Sequence, residues 1–194
     1  SRVLFLKGSV LDENARIIED LELEVKNIKT REITIIKVDS GAYVSSITLG
    51  ENDDVLISVK KRGFAFNSSY IPADSNSFNS SSALDFEMQS LGEGKSFSIE
   101  NIYFNNNSFE VQYATKEILI EFARYLEENK QLVIEINGFT DNIGRKEDNQ
   151  LLSENRARVI RDLILMEGVS KERVFYNGFG ESFPVFNNEN EQGG

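Results

Sequence analysis

Apolar residues recur with a period of two in four short stretches near the start of the chain: Val3-Leu4-Phe5-Leu6, Leu21 with Leu23 and Val25, Ile33 with Ile35 and Val38, and Val55 with Ile57 and Val59. That period predicts strands with one buried face. Turn residues separate them at Asp12-Glu13-Asn14, Asp39-Ser40-Gly41, Gly50-Glu51-Asn52-Asp53 and Lys61-Arg62-Gly63. No window long enough for a helix competes, so residues 1–72 are expected to form a small antiparallel β-sandwich. Residues 73–83, reading ADSNSFNSSSA, carry too few large apolar groups to offset the entropy of ordering and are expected to be a linker.

From residue 84 the period changes. Phe97 to Phe104 reads as a strand, and Thr115 to Asn129 as a helix with Ile118, Leu119, Phe122 and Leu126 on one face. Leu132 to Ile136 alternates as a strand, Lys146 to Met166 repeats as a helix ending near Gly168, and a last strand lies around Arg173 to Tyr176. The order βαβαβ predicts an α/β sandwich with parallel neighbours over residues 84–194. Sites in such sheets lie beyond the carboxyl ends of strands. The spacing puts Asp141 there, within Gly138-Phe139-Thr140-Asp141-Asn142-Ile143-Gly144.

Arg156 follows fifteen residues later. At 100° per residue it falls in the same sector as Asn149, Leu152, Val159, Ile160, Leu163 and Ile164, while Arg158 and Arg161 point elsewhere. A guanidinium in an apolar stripe stays charged and needs a partner, either an internal group or a ligand. Leu152, Val159 and Leu163 are expected in the core, and Gly138, Gly144, Gly178 and Gly180 as turn glycines with positive φ.

Composition narrows the chemistry. The 194 residues suit one large domain or two small ones, and the second is the reading taken. With no Cys and no His, thiol nucleophiles, Ser-His triads and His- or Cys-ligated metals are excluded, leaving only carboxylate chemistry or a hard cation site. A two-carboxylate hydrolase is disfavoured because an arginine paired with Asp141 lowers its pKa when general-acid work needs it raised. Asp141 to Asp148 also lacks the ligand spacing of a calcium loop. No cofactor or metal is expected, and the chain is read as a non-enzyme.

The net charge of −11 is uneven: residues 1–83 hold 10 basic and 12 acidic side chains, residues 84–194 hold 11 and 20. Nucleic acid is therefore not expected as a partner. No apolar run approaches the roughly 18 residues needed to span a bilayer. The chain opens at Ser1 without a signal-peptide pattern and reads as part of a longer protein.

Two resemblances add to this. Gly8-Ser9-Val10, Asp39-Ser40-Gly41-Ala42-Tyr43 and Arg62-Gly63-Phe64 resemble the carboxypeptidase regulatory-like domain, a prealbumin-like β-sandwich. That likeness implies a supporting module without catalysis of its own. Ile102-Tyr103-Phe104, the segment Gly138 to Gly144, Asn149, Leu152-Ser153, Arg156-Ala157, Gly168-Val169, Gly178-Phe179-Gly180-Glu181 and Pro184 make residues 84–194 similar to the OmpA C-terminal-like family of peptidoglycan-binding domains.

The second resemblance implies non-covalent binding of the peptidoglycan stem peptide. Asp141 would accept the ammonium of diaminopimelate and Arg156 would grip its carboxylate, with Asn105, Thr140, Asn142 and Asn149 in support. It further implies an anchor for a larger protein at the periplasmic face of the outer membrane, reaching the membrane only through parts outside this chain. The β-sandwich would supply contacts to envelope partners. An ion-driven motor stator is disfavoured, because a β-sandwich precedes the domain where stators carry a transmembrane helix.

The chain departs from the family pattern in two residues, Phe139 where His is usual and Asn105 where Asp is frequent. It also stops at Gly194, short of the segment that begins the family's final strand, so that strand is expected to be missing. The alternative is a protein–protein scaffold of an envelope secretion or motility complex in which Asp141 and Arg156 form a structural pair.

Overall fold

In the computed structural model, which describes residues 1–74, 83–106 and 108–182, the first alternating stretch becomes strand β1 (Arg2–Asp12). Its Leu4, Leu6 and Val10 are buried, and Val3 and Phe5 are exposed. The other three stretches become β2 (Glu22–Asn27), β3 (Ile33–Lys37) and β5 (Val55–Val59). Strand β5 is buried at all five positions, because Leu56 puts an apolar side chain on the second face as well. Three strands lie outside the sequence expectation: β4 (Ala42–Leu49), β6 (Asn67–Ile71) and β7 (Phe86–Met88). Serines in β4 and β6, and the three-residue length of β7, blur the period.

Sheet order is β4-β1-β7 and β3-β2-β5-β6. Both sheets contribute to one core that includes Leu4, Leu6, Val10, Leu23, Val25, Ile36, Val55, Ile57 and Met88. The sandwich is not purely antiparallel, since β7 runs parallel to β1 with Val10 opposite Phe86. Side chains stitch this return segment down. Ser9 donates to Asp85 Oδ1 from its backbone N–H at 2.7 Å and its hydroxyl at 2.8 Å, and the Tyr43 hydroxyl donates to the Leu84 carbonyl at 2.5 Å.

The chain divides into two compact units, Ser1–Asn101 and Ile102–Gly194. The division therefore falls later than the expected 73–83 linker, because β7 is committed to β1. Most of that linker, residues 75–82, lies outside the described residues, as do Pro184 and everything to Gly194.

The second unit contains α1 (Tyr113–Glu128), β8 (Ile134–Gly138), α2 (Lys146–Met166) and β9 (Val174–Gly178). The expected strand over 97–104 does not form, so the βαβαβ order is not realised among the described residues. Asn101 has a φ of 62°, which breaks an extended run, and only an isolated bridge between Phe104 and Val111 remains. Helix α1 buries Ile118, Leu119, Phe122 and Leu126 as the period predicts. Strands β8 and β9 pair in parallel, Ile134 with Val174 through Gly138 with Gly178, and α2 is the crossover between them.

The buried stripe of α2 is Asn149, Ser153, Ala157, Ile160 and Ile164. Leu152, Val159 and Leu163 are only half-buried, a rotation of the expected face. The glycines explain it. A Cβ on Gly138 would stand 2.2 Å from the Ser153 carbonyl oxygen, and one on Gly178 would stand 2.4 Å from the Glu154 nitrogen. These two serve close helix–strand approach, whereas Gly144 and Gly180 do have the expected positive φ, of 109° and 53°. Small residues on the helix therefore face missing side chains on the strands.

Arg173 closes the other end of the unit. Its guanidinium donates to the carbonyls of Leu126 at 2.6 Å, Asn129 at 3.1 Å and Leu132 at 3.0 Å, and to Glu127 Oε1 at 3.0 Å. Carbonyls at a helix C-terminus have no partner within the helix, so this one side chain satisfies groups that α1 leaves open. Arg173→Ala is expected to destabilise the unit by about 2–4 kcal/mol, through lost charge-assisted bonds and orphaned acceptors. A denaturant melt followed by far-UV circular dichroism checks this, and an unchanged midpoint would refute the clamp.

Candidate ligand-binding site

Strand β8 ends in a tightly tied turn. Beyond the ladder, the Phe179 N–H donates to the Gly138 carbonyl at 2.9 Å and the Thr140 N–H to the Gly180 carbonyl at 2.9 Å. Pairing thus continues to the residue before Asp141, which puts its carboxylate just past the carboxyl end of β8, where the spacing predicted. Asp141 Oδ1 accepts from the Ile143 N–H at 3.2 Å, an Asx turn that orients the carboxylate. Phe139 stacks on Phe179 with centroids 5.5 Å apart and planes 16° apart, so the position occupied by His in the resembling family is filled here by packing.

Asn149, one turn into α2, is 5 % exposed. Its Nδ2 donates to the Asp141 carbonyl at 3.3 Å and to Glu181 Oε2 at 3.4 Å, clipping the turn to the helix. Thr140 is also buried, and its Oγ1 finds no hydrogen-bond partner among the described residues. Asn142 is exposed in the turn. Asn105 lies elsewhere, in a turn before α1, where its side chain donates to Glu110 Oε2 at 3.0 Å.

Arg156 is half-buried, at the edge of the buried face and not in its middle. Its Nε donates to the Ser108 carbonyl at 3.1 Å, and its guanidinium carbon lies 4.9 Å from the centroid of the Phe104 ring. Burial lowers its pKa and the charge of Asp141 raises it, so the two groups feel each other. Yet among the described residues no ion pair joins them, and neither Nη atom meets an acceptor. The neighbouring arginines differ: Arg161 Nε donates to the Val174 carbonyl at 2.9 Å, and Arg158 Nη2 to Asn155 Oδ1 at 2.9 Å.

The result is a carboxylate and a guanidinium whose charges act on one another, each held by other groups and, among the described residues, each with hydrogen-bonding capacity left over. Such a pair suits a ligand carrying an ammonium and a carboxylate on one carbon. Among the described residues no group of three or more carboxylates is placed to hold a metal ion. No helix among them is long and apolar enough to cross a membrane.

The OmpA family model matches residues 103–193. This segment is an OmpA-family domain. Over 90 residues it is 34% identical to outer membrane protein A of Buchnera aphidicola subsp. Schizaphis graminum, covering 45% of this chain and 26% of that protein. Over 97 residues it is 28% identical to the peptidoglycan-associated lipoprotein of Mesorhizobium japonicum, covering 48% of this chain and 58% of that protein. The chain thus spans only part of each curated relative. The crystal structure of the peptidoglycan-associated lipoprotein from Burkholderia pseudomallei is 30% identical, with a TM-score of 0.45, over 47% of this chain and 78% of that one.

Within the OmpA-family domain two participants escaped the sequence reading, Phe104 and Ser108. Phe104 stood in a motif read as a strand, and Ser108 acts through its backbone carbonyl, which no side-chain pattern reveals.

Proposed function

We propose that the chain binds peptidoglycan without covalent chemistry, seating the diaminopimelate end of a stem peptide between Asp141 and Arg156. The observation that carries this reading is a half-buried, well-held guanidinium whose Nη atoms meet no acceptor among the described residues, and on which the charge of Asp141 acts without an ion pair between them. Asp141 accepts from the ammonium and Arg156 donates to the carboxylate, while Asn149 holds the Asp141 turn and Thr140 and Asn142 line it. The names of the related outer membrane and peptidoglycan-associated proteins support peptidoglycan as the partner and an envelope location.

In this reading the chain anchors a larger protein to the cell wall from the periplasmic face of the outer membrane. A modest single-site affinity suffices, because the wall presents many copies of the stem and tethering raises effective concentration. The N-terminal sandwich acts as a carboxypeptidase regulatory-like support that contacts envelope partners, in keeping with its two-sheet core.

Calorimetric titration with a muropeptide that ends in free diaminopimelate tests the site. Asp141→Asn removes the charge that faces the ammonium and is expected to weaken binding by about 10- to 100-fold. Wild-type protein that ignores the muropeptide, or binds it equally with the diaminopimelate amine acetylated, would move the scaffold alternative to the front.

A further inference from the structure

Asn105 enters the ligand set by resemblance, but its bonds run along its own turn. Its Nδ2 donates to Glu110 Oε2 at 3.0 Å and its backbone N–H to the Glu110 carbonyl at 2.9 Å. The Ser108 N–H donates to the Asn105 carbonyl at 3.1 Å, and the Glu110 N–H donates to the Ser108 hydroxyl at 2.9 Å. The Phe104–Val111 bridge closes the turn. All of these constrain Ser108, whose carbonyl accepts from Arg156 Nε at 3.1 Å, and Phe104 sets its ring 4.9 Å from the same guanidinium.

We infer that Phe104 and the Asn105–Glu110 clip are positioning residues for Arg156, committing its Nε to Ser108 so that a ligand carboxylate is met end-on by Nη1 and Nη2. This rests on the reading above that the site binds an α-amino-acid terminus. A guanidinium offers two forks, one from Nε with an Nη and one from the two Nη atoms. With Nε already donated to a carbonyl, the side-on fork keeps one N–H and sets a ligand oxygen against the Ser108 oxygen. Only the end-on fork still presents two parallel donors.

Two consequences follow for the ligand. An arginine held by a ring and a carbonyl has already lost the rotamer freedom that binding would otherwise remove. The end-on fork also demands two acceptors in one plane, which a carboxylate has and a primary amide lacks. Stem peptides whose diaminopimelate α-carboxylate is amidated are therefore excluded, because the amide sets N–H against N–H.

The test is NMR of the Arg156 Nε–H, assigned by its disappearance in Arg156→Lys, beside titration with free and amidated muropeptides. Asn105→Ala and Glu110→Ala are expected to speed Nε–H exchange about 10-fold and weaken muropeptide binding about 3- to 10-fold, with the thermal midpoint unchanged, while Glu110→Gln keeps the acceptor and wild-type behaviour. Wild-type protein is expected to bind the amidated form at least about 10-fold more weakly. Unaltered exchange in folded Asn105→Ala overturns the positioning role; if affinity falls all the same, Asn105 touches the ligand directly. Equal binding of the amidated form overturns the end-on geometry. A wild type that binds neither muropeptide removes the binding reading and the end-on fork with it, while the exchange rates still decide whether the clip holds Arg156.

Discussion

Arg156→Ala is expected to abolish muropeptide binding while leaving the protein folded. Two charge-assisted hydrogen bonds to a carboxylate contribute about 1.5–3 kcal/mol each, so their loss weakens binding by at least about 100-fold. The stability change is expected to be moderate, about 1–2 kcal/mol, since the half-exposed side chain gives up one bond to a carbonyl and one ring contact. A buried Asp141–Arg156 ion pair would behave oppositely, and breaking it would cost about 3–5 kcal/mol of stability. Arg156→Lys separates charge from shape: it keeps the cation but loses the planar fork and the stacking, and should recover little of the affinity. Titration and a denaturant melt on the same preparations read both quantities. A variant that binds normally, or one that melts as though a core pair were broken, would contradict the assignment.

Gly138→Ala is expected to produce a large loss of stability. A methyl group there would stand 2.2 Å from the Ser153 carbonyl oxygen, 3.0 Å from its carbon and 3.2 Å from the Ala157 Cβ. None of these is the end of a flexible side chain, so either α2 moves off β8 or the strand bends. Overpacking typically costs 1–3 kcal/mol, and with backbone on both sides about 3 kcal/mol or more is expected here. The same exchange at Gly92, where only the Lys95 side chain comes near, should change stability by less than about 0.5 kcal/mol. Because α2 carries Arg156 and the end of β8 leads into Asp141, whatever fraction of Gly138→Ala remains folded should also bind muropeptide poorly. Normal melting of Gly138→Ala would show that the strand and helix have room to separate.

The two residues central to the proposed site stand out in the sequence because each obeys a local rule. Asp141 follows a strand end, and Arg156 is a fixed cation inside an apolar period. The supports of Arg156 were not legible, whereas Asn149, which holds the Asp141 turn, was. Asn105 has a side chain suited to a ligand and spends it on Glu110. Ser108 contributes only a carbonyl, and Phe104 lies in a stretch whose strand pattern Asn101 interrupts with a φ of 62°. The face of α2 was rotated in the reading because hydrophobic period assumes that the greasiest residues go inward. At the closest helix–strand contact the smallest ones do, Ser153 and Ala157 against Gly138 and Gly178.

Local patterning alone was enough to call for four of the N-terminal strands, both helices, the two parallel strands joined by α2, and the carboxylate and guanidinium that flank a candidate site. These depend on period, turn chemistry and charge, all of which act over a few residues. Long-range contact decided the rest. The return of Phe86 to pair with Val10 carried the unit boundary past the polar stretch to Asn101. The closeness of α2 to β8 and β9 depends on two absent side chains. Above all, whether Arg156 is consumed by Asp141 or left open depends on a carbonyl 48 residues away that holds its Nε. A hydrogen-bond partner so distant in sequence leaves no periodic trace, because only the folded chain brings it within reach.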